Sequence, residues 1–358
     1  MPLDQAAVQA VLQDFKDPES GRSVVSTKQV RDIAVAGDKL SLTLELTTHS
    51  APIQDEIRDS LAGLLRSRLP GLSDVQINLA EHTRPPIPLG QIGVTAKSVI
   101  AVGSGKGGVG KSTIAASIAL GLKRMGAKVG LMDADVYGPS IPHLLGLSGR
   151  LEMDENKKVK PIYADGLPCV SMGFLVPPGE AVVWRGPMLH GAVQQFLRDT
   201  AWGDLDYLII DMPPGTGDIA ITLSQLLPLT GAVVVCTPQD VALLDAVKAI
   251  SMFRKVNIPI LGMVENMSYF ICPDNGKRYD IFGHGGARTK AEELNVPFLG
   301  EVPINIAIRE HGDAGRTTDN FTKPELAPYL EKIVKTLVRN RAQSTAAKPP
   351  APSLPVLG

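Results

Sequence analysis

A chain of 358 residues, 44% of them hydrophobic, is long enough to bury two cores. Its 36 Lys+Arg against 37 Asp+Glu leave a net charge of -1, which excludes the broad basic footprint of a non-specific nucleic-acid binder, and no apolar run approaches the ~20 residues of a bilayer span. Three scattered cysteines, six histidines without ligand spacing, and an N-terminus, MPLDQ, lacking a basic flank and apolar stretch argue against a disulfide framework, a structural zinc site and a secretion signal. A cytoplasmic protein with no stable membrane association and no nucleic-acid partner is therefore expected.

The opening elements form a small α+β unit, expected over residues 1–82. Ala7, Val8, Val11 and Leu12 recur at helical spacing. After a Gly37-Asp38 turn, Leu40, Leu42, Leu44 and Leu46 alternate strictly, the period of a strand; Ile53, Ile57, Leu61, Leu64 and Leu65 then mark an amphipathic helix, and Val75, Ile77 and Leu79 a last strand. Thr83-Arg84-Pro85-Pro86-Ile87-Pro88 opens a proline-stiffened linker, expected over 83–97. The segment Asp17-Pro18-Glu19-Ser20-Gly21 has no role legible in the sequence.

Residues 98–341 read as a second, α/β domain. Ser98-Val99-Ile100-Ala101-Val102 is a β-rich run, GKGGVGKST follows at 105–113, and Ile114, Ile118 and Leu122 continue at helical spacing. Strand, glycine-rich loop and helix in this order form a phosphate cradle. Gly105, Gly107, Gly108 and Gly110 let backbone N-H groups around Val109 turn inward on phosphate oxygens at the helix N-terminus, Lys111 adds charge at the β/γ-phosphates, and Ser112, followed by Thr113, offers a hydroxyl to Mg²⁺. The second loop lysine, Lys106, fits a solvated surface position or the phosphates of its own or a neighbouring subunit.

Two more strands end in acids. Val129-Gly130-Leu131-Met132 leads into Asp133-Ala134-Asp135, and Tyr207-Leu208-Ile209-Ile210 into Asp211, which places all three carboxylates at the carboxyl edge of a sheet. Asp211 is expected to hold Mg²⁺ through water, with Asp133 as a further Mg²⁺ group; Met212 to Asp218 reads as a switch loop. Asp133 and Asp135 are expected to face opposite sides, leaving Asp135 to aim at the attacking water; capping of the next helix is the alternative for this pair. Cys236 lies in a strand run and Cys169 has no ligand-spaced neighbour, so both read as core residues. Leu326, Leu330, Ile333, Val334 and Leu337 share one face of a closing helix flanked by Lys332, Lys335, Arg339 and Arg341, a pattern that membrane-surface helices also show. The Pro/Ala-rich tail, 342–358, is expected to be disordered.

From about Lys97 to Gly315 the chain resembles the Mrp/ApbC-type iron-sulfur carrier ATPases, a branch of the deviant Walker A class that also holds MinD, ParA and nitrogenase iron protein. The resemblance rests on GSGKGGVGKST, LMDADVYGPSIPHLLG (131–146), VWRGPM (183–188), DYLIIDMPPGTGD (206–218), TPQDVALLDA (237–246), and GMVENMSYF followed by a cysteine and IFGHGG (262–286). It implies a P-loop NTPase with a mostly parallel sheet flanked by helices, and a homodimer that hydrolyses ATP with Mg²⁺. In that class Lys106 reaches across the dimer, Asp135 orients water and Asn266 reads the adenine edge. Residues 1–82 resemble the metal-sulfur cluster assembly domain often fused ahead of such ATPases, with Ala51 where relatives place a cysteine, so this module is expected to dock or support the dimer rather than donate a ligand.

Family members commonly carry a CxxC pair, so that a dimer offers four thiolates to a [4Fe-4S] cluster. Here the stretch is Cys272-Pro273-Asp274-Asn275, and a dimer offers two. An exogenous thiol, Asp274 or a partner's cysteines would complete the shell, unless Cys272 is an inert loop residue. The reading is a homodimeric ATPase that carries iron-sulfur clusters from an assembly scaffold to apo-protein clients. The alternative is a MinD/ParA-like positioning or regulatory ATPase that binds no metal.

Overall fold

The structure, a computed structural model, describes residues 4–175, 186–215 and 217–347. The VWRGPM motif falls largely outside them, as do Thr216, the Asp218 side chain and residues 348–358 of the tail. Contacts divide the chain into two units, 1–84 with 338–358, and 85–337.

The smaller unit runs α1 (Gln5–Asp14), β1 (Val30–Ala36), β2 (Lys39–Leu46), α2 (Gln54–Arg68), β3 (Asp74–Glu81), with sheet order β1-β2-β3. The alternating leucines Leu40, Leu42, Leu44 and Leu46 of β2 are buried together with Val8, Leu12, Ile57, Leu61 and Leu65 of the helices. β2 pairs β3 in parallel and β1 antiparallel. Sequence alternation does not reveal β1. Its register shifts between Arg31 and Ala34, where Asp32 takes φ 55°, so side chains along this strand lose the two-residue period. The Thr48–Ile53 segment is a 3-10 turn that buries His49, Ser50 and Pro52.

Tertiary structure gives the Asp17-Gly21 motif its work. Asp17 is fully buried and accepts from Ser20 N-H at 2.9 Å, Ser20 Oγ at 2.6 Å, Gln29 Nε2 at 3.1 Å and Arg84 at 2.8 Å, while Glu19 lies 3.2 Å from Arg84 and accepts from the Thr47 hydroxyl. This network ties the residue before the proline-rich segment to the first loop of the unit.

The larger unit runs β4 (Ala96–Gly103), α3 (Lys111–Arg124), β5 (Val129–Asp133), α4 (Ile141–Leu144), β6 (Ile162–Ala164), β7 (Leu167–Ser171), α5 (Gly186–Asp199), β8 (Leu205–Asp211), α6 (Gly217–Leu226), β9 (Gly231–Cys236), α7 (Asp240–Lys255), β10 (Ile260–Ile271), β11 (Arg278–Tyr279), α8 (Gly286–Glu293), β12 (Phe298–Ile304), α9 (Ile306–Asp313); α10 (Ala327–Ala347) begins here. Its nine-stranded sheet has the order β11-β10-β9-β4-β8-β5-β7-β6, with β12 also on β10. Among the described residues, the β6-β7 and β10-β11 pairs are antiparallel and the other strand pairs of this sheet parallel. β5, β8 and β9 are buried throughout and β4 at every residue but Lys97, and all four are predominantly apolar, as strands covered on both faces must be. The strand order reverses about β4, so the loop leaving its carboxyl end stands at a topological switch point.

Two boundaries differ from expectation. The supposed linker is anchored from Leu89 onward: Leu89 bridges Val94, Gln91 N-H donates to Leu226 O at 3.3 Å, and Ile92 and Val94 are buried. The tail stays helical to Ala347, because α10 continues past 341. Leu326, Leu330, Ile333, Val334 and Leu337 are each no more than 3% exposed, with Val334 packed where Gly121 lacks a side chain and Ile333 against Gly300. That face is used by the fold and is not free to lie on a bilayer. Among the described residues no helix is long and apolar enough to cross a membrane.

Burial pushes the Asp17 carboxyl upward, but the Ser20, Arg84 and Gln29 hydrogen bonds and the Arg84 charge together hold it below the usual carboxylate value of 3.8. A lowered value means stability present above the ordinary carboxylate range and lost as pH falls through it. Asp17→Ala is expected to destabilise the small unit by about 3 kcal/mol at pH 7, and chemical unfolding curves at pH 7 and 3 should show the variant's deficit shrinking in acid.

Candidate functional site

The glycines of the loop between β4 and α3 have separate jobs. Gly108 and Gly110 both take φ +78°, a conformation that a side chain would strain, and Gly110 forms the N-cap of α3. A Cβ on Gly105 would meet the Asp245 carbonyl oxygen of α7 at 2.1 Å, and one on Gly110 would meet Asn266 Nδ2 at 2.1 Å. The chain around the loop therefore closes on it from two sides. Lys106, Gly107, Gly108, Gly110, Lys111, Ser112 and Thr113 line a cavity of about 440 Å³, with Asp135, Tyr137 and Pro214 on its other walls. Val109 is buried, and neither it nor Gly105 lines the cavity.

Lys111 is the electrostatic centre. Its side chain is 6% exposed, and Nζ lies 2.5 Å from Asp211 Oδ1, 3.0 Å from Ser112 Oγ and 3.6 Å from Asp135 Oδ2. Lys106, by contrast, is partly exposed at the cavity wall, its carbonyl accepting from Ser104 Oγ at 2.9 Å. The segment after Asp211 is stitched to the same strand: Met212 N-H donates to Val102 O and Gly215 N-H to Ser104 O, each at 2.9 Å. A change at this loop thus pulls directly on the segment that follows β8.

Asp133 and Asp135 do not face apart. Residues two apart on a strand share a face, β5 ends at Asp133, and both acids turn toward the Lys111 cluster. Their duties differ all the same. Asp133 Oδ1 accepts from Asp135 N-H at 3.1 Å, and Oδ2 from Ser171 Oγ at 2.9 Å and from Ile141 N-H at 3.2 Å, so both its oxygens hold the loop that leads into α4. Asp135 Oδ1 accepts from Tyr137 and Gly138 N-H groups, and its Oδ2 points at Lys111. Burial, with the nearby Asp211 charge, pushes the Asp133 carboxyl up to about 8; burial likewise raises Asp211 against the pull of Lys111 and Ser112.

The residues present fit a hard divalent cation. Asp211 Oδ2 is buried with no hydrogen-bond partner, beside the Asp135 carboxylate, the Lys111 ammonium and the Ser112 hydroxyl. Such an orphaned anionic oxygen is stabilised by a cation or its bound water.

Asn266 braces the phosphate loop. It is 7% exposed, its Nδ2 donates to Val109 O at 2.9 Å, and it is not among the cavity-lining residues. Its amide nitrogen holds the loop from below on β10. Sequence reasoning had no signal for this strut, for Ser171 on Asp133, or for the Asp245 backbone against Gly105, since all three join residues at least 38 positions apart.

The same strand β10 ends at the cysteine. Cys272 heads a turn in which Gly276 N-H donates to Cys272 O at 2.8 Å, Cys272 N-H to Lys277 O at 2.9 Å, and Lys277 N-H to Asn275 Oδ1 at 2.9 Å. Asn275 therefore shapes the turn with its side chain, and 273–280 are exposed. The other thiols are unavailable: burial pushes both Cys169 and Cys236 up to about 12. Iodoacetamide at pH 8 is expected to alkylate Cys272 alone in the folded protein, and all three cysteines only after denaturation, as peptide mass mapping would show.

Comparison with known proteins gives this geometry its family. The model for the NUBPL iron-transfer P-loop NTPases matches residues 95–338, and that for iron-sulfur cluster assembly proteins matches residues 5–79. An iron-sulfur cluster carrier protein of Deinococcus radiodurans is 47% identical over 98% of this chain and 99% of its own length, and one of Escherichia coli is 45% identical over 90% and 87%. Among solved structures, a nucleotide-binding protein from Archaeoglobus fulgidus in complex with ADP superposes with a TM-score of 0.58 at 39% identity, covering 66% of this chain and 93% of that one. The cell division ATPase MinD of Pyrococcus furiosus shares the fold, with a TM-score of 0.52 at 22% identity over 68% and 98% of the two chains. With its phosphate cradle, acid-terminated strands and matches over nearly its whole length, the chain belongs to the NUBPL-type iron-transfer P-loop NTPase family.

Proposed function

We propose that this protein is a homodimeric, Mg²⁺-dependent ATPase that takes up an iron-sulfur cluster from an assembly scaffold and passes it to apo-protein clients in the cytoplasm. The observation that carries the reading is the course of β10: Asn266 grips the phosphate loop through Val109 O, and six residues on the strand delivers Cys272, the one cysteine that is not buried, to an exposed turn.

In the nucleotide site the loop N-H groups and Lys111 hold the ATP phosphates, and Mg²⁺ supplies charge neutralisation at the β- and γ-oxygens when bound. Ser112 and Asp211, through the free Oδ2, would hold it; Asp133, both of whose oxygens are engaged, shapes the loop instead. Asp135 turns its Oδ2 to the cavity and orients the attacking water. Lys106 stands where its ammonium reaches phosphates of its own or of a second subunit. Phosphate release loosens Lys111 and Asn266 together, and the strain passes along β10 to the turn that bears the cargo.

A dimer offers the cluster two Cys272 thiolates, so two ligands come from an exogenous thiol, Asp274 or a client's cysteines. That arrangement suits a carrier, since the ligands that are missing here are those that a recipient brings. The small unit, with Ala51 in its half-buried turn, acts in docking or in supporting the dimer.

Lys111→Ala is expected to lower ATP hydrolysis at least about 100-fold, with nucleotide binding lost as well; turnover at the normal rate would refute the ATPase mechanism. Anaerobic reconstitution should leave about two iron and two sulfide per wild-type chain, the content of one [4Fe-4S] per dimer, and almost none in Cys272→Ala. If neither protein holds iron, the chain is a regulatory ATPase of the MinD kind. ATP-dependent co-sedimentation with anionic vesicles, the signature of that reading, is expected to be absent because the apolar face of α10 is already buried.

A further inference from the structure

Beyond the nucleotide cavity and Cys272, one cluster of ligand-type side chains faces a common point. Glu265 on β10, His284 before α8 and Glu301 on β12 bring a carboxylate oxygen, an imidazole nitrogen and a second carboxylate oxygen within 4.8 Å of one another. His284 Nδ1 is 4.0 Å from both Glu265 Oε1 and Glu301 Oε2. Between them stands Ser268, its Oγ 2.5 Å from Glu265 Oε1, 3.4 Å from His284 Nδ1 and 3.5 Å from Glu301 Oε2.

A purely structural role covers only part of this arrangement. Glu265 is fully buried and accepts from Gly285 N-H at 3.1 Å and Ala287 N-H at 2.8 Å, which satisfies the amino end of α8. Capping does not account for a second carboxylate and an imidazole turned to the same spot. The Ser268 hydroxyl stands within hydrogen-bond distance of all three side chains, whereas the Gly285 and Ala287 N-H groups hold Glu265 alone. Among the described residues no lysine or arginine forms an ion pair with Glu265 or Glu301. Arg278, which feels the Glu301 charge, is stacked 3.8 Å over the Tyr269 ring and bonds Asp280 at 2.8 Å. Two carboxylates, one of them out of water, share a point with one imidazole and, among the described residues, no lysine or arginine paired with either.

From this convergence of one imidazole and two carboxylates on three separate elements we propose that Glu265, His284 and Glu301 form a binding site for one divalent first-row transition metal ion, separate from both the nucleotide site and the cluster-bearing thiol. One imidazole nitrogen and two carboxylate oxygens suit Zn²⁺, Fe²⁺ or Co²⁺ better than Ca²⁺ or Mg²⁺, which favour all-oxygen shells. Ligands about 2.1 Å from a tetrahedral ion stand roughly 3.4 Å apart, so the 4.0 Å separations need closing by about half an ångström. The side chains of His284 and Glu301, 39% and 25% exposed, have room for that movement, whereas Glu265 is held by the α8 backbone. Water fills the fourth position, and the Ser268 hydroxyl turns from Glu265 toward it. An ion here would clamp β10, β12 and the start of α8 around the strand that carries both Asn266 and Cys272.

The test titrates Co²⁺ into the full-length Cys272→Ser protein, without nucleotide and with excess Mg²⁺ to occupy the Ser112/Asp211 site. The expected result is one Co²⁺ per chain with a visible d-d band, no sulfur-to-cobalt charge-transfer band, and affinity at least about tenfold weaker in His284→Ala and in Glu301→Gln. Both variants alter partly exposed residues, and wild-type ATP hydrolysis would confirm that they fold. Absence of saturable Co²⁺ binding, or binding that neither variant weakens, would overturn the site. In the first case an NMR titration showing His284 charged at neutral pH would identify a proton as the counter-charge. Because the background lacks Cys272, either outcome leaves the carrier proposal untouched.

Discussion

Everything in the larger unit is arranged around one buried ammonium among acids, Lys111 with Asp211 and Asp135. An isolated charge at this depth would be expelled or neutralised, and even paired charges recover their desolvation only through good geometry and further hydrogen bonds. The fold meets that condition from one side: Lys111 has close oxygen partners, but Asp211 keeps a buried oxygen with no partner.

The backbone sets the positions of these groups. β4, β5 and β8 place Lys111, Asp133 and Asp211 at adjacent strand ends, and Asp133 aligns in register with Asp211 across the β5-β8 pair. Gly105 permits α7 to approach the loop so closely that any side chain would collide with the Asp245 carbonyl. Asn266 fixes the loop from β10. One strand, β10, thus joins the phosphate loop at Asn266 to the exposed turn that begins at Cys272.

At that turn the Asn275 carbonyl oxygen takes the Lys277 N-H that closes it, and Cys272 is the one cysteine that is not buried. Tightly buried Cys169 and Cys236 cannot serve instead, since their thiolates would be formed in the core at high energetic cost.

The sequence by itself determined the parts governed by local rules: the phosphate loop, whose glycines and lysine act within nine residues; the buried apolar strands that end in acids; the leucine-alternating strand of the small unit; and the helical apolar stripe of α10. It did not reveal β1, where a bulge at Asp32 erases the alternation, nor the anchoring of residues 89–97; the shared face of Asp133 and Asp135 follows from the two-residue period of a strand and was legible in it. Only the tertiary structure decided the duties of polar side chains whose partners are distant in the chain: Asp17 with Arg84, Asp133 with Ser171, Asn266 with Val109, and Glu265 with His284 and Glu301. Backbone periodicity is a short-range property that residue order carries directly, whereas a hydrogen bond or a ligand set exists only once strands far apart in sequence have been laid side by side.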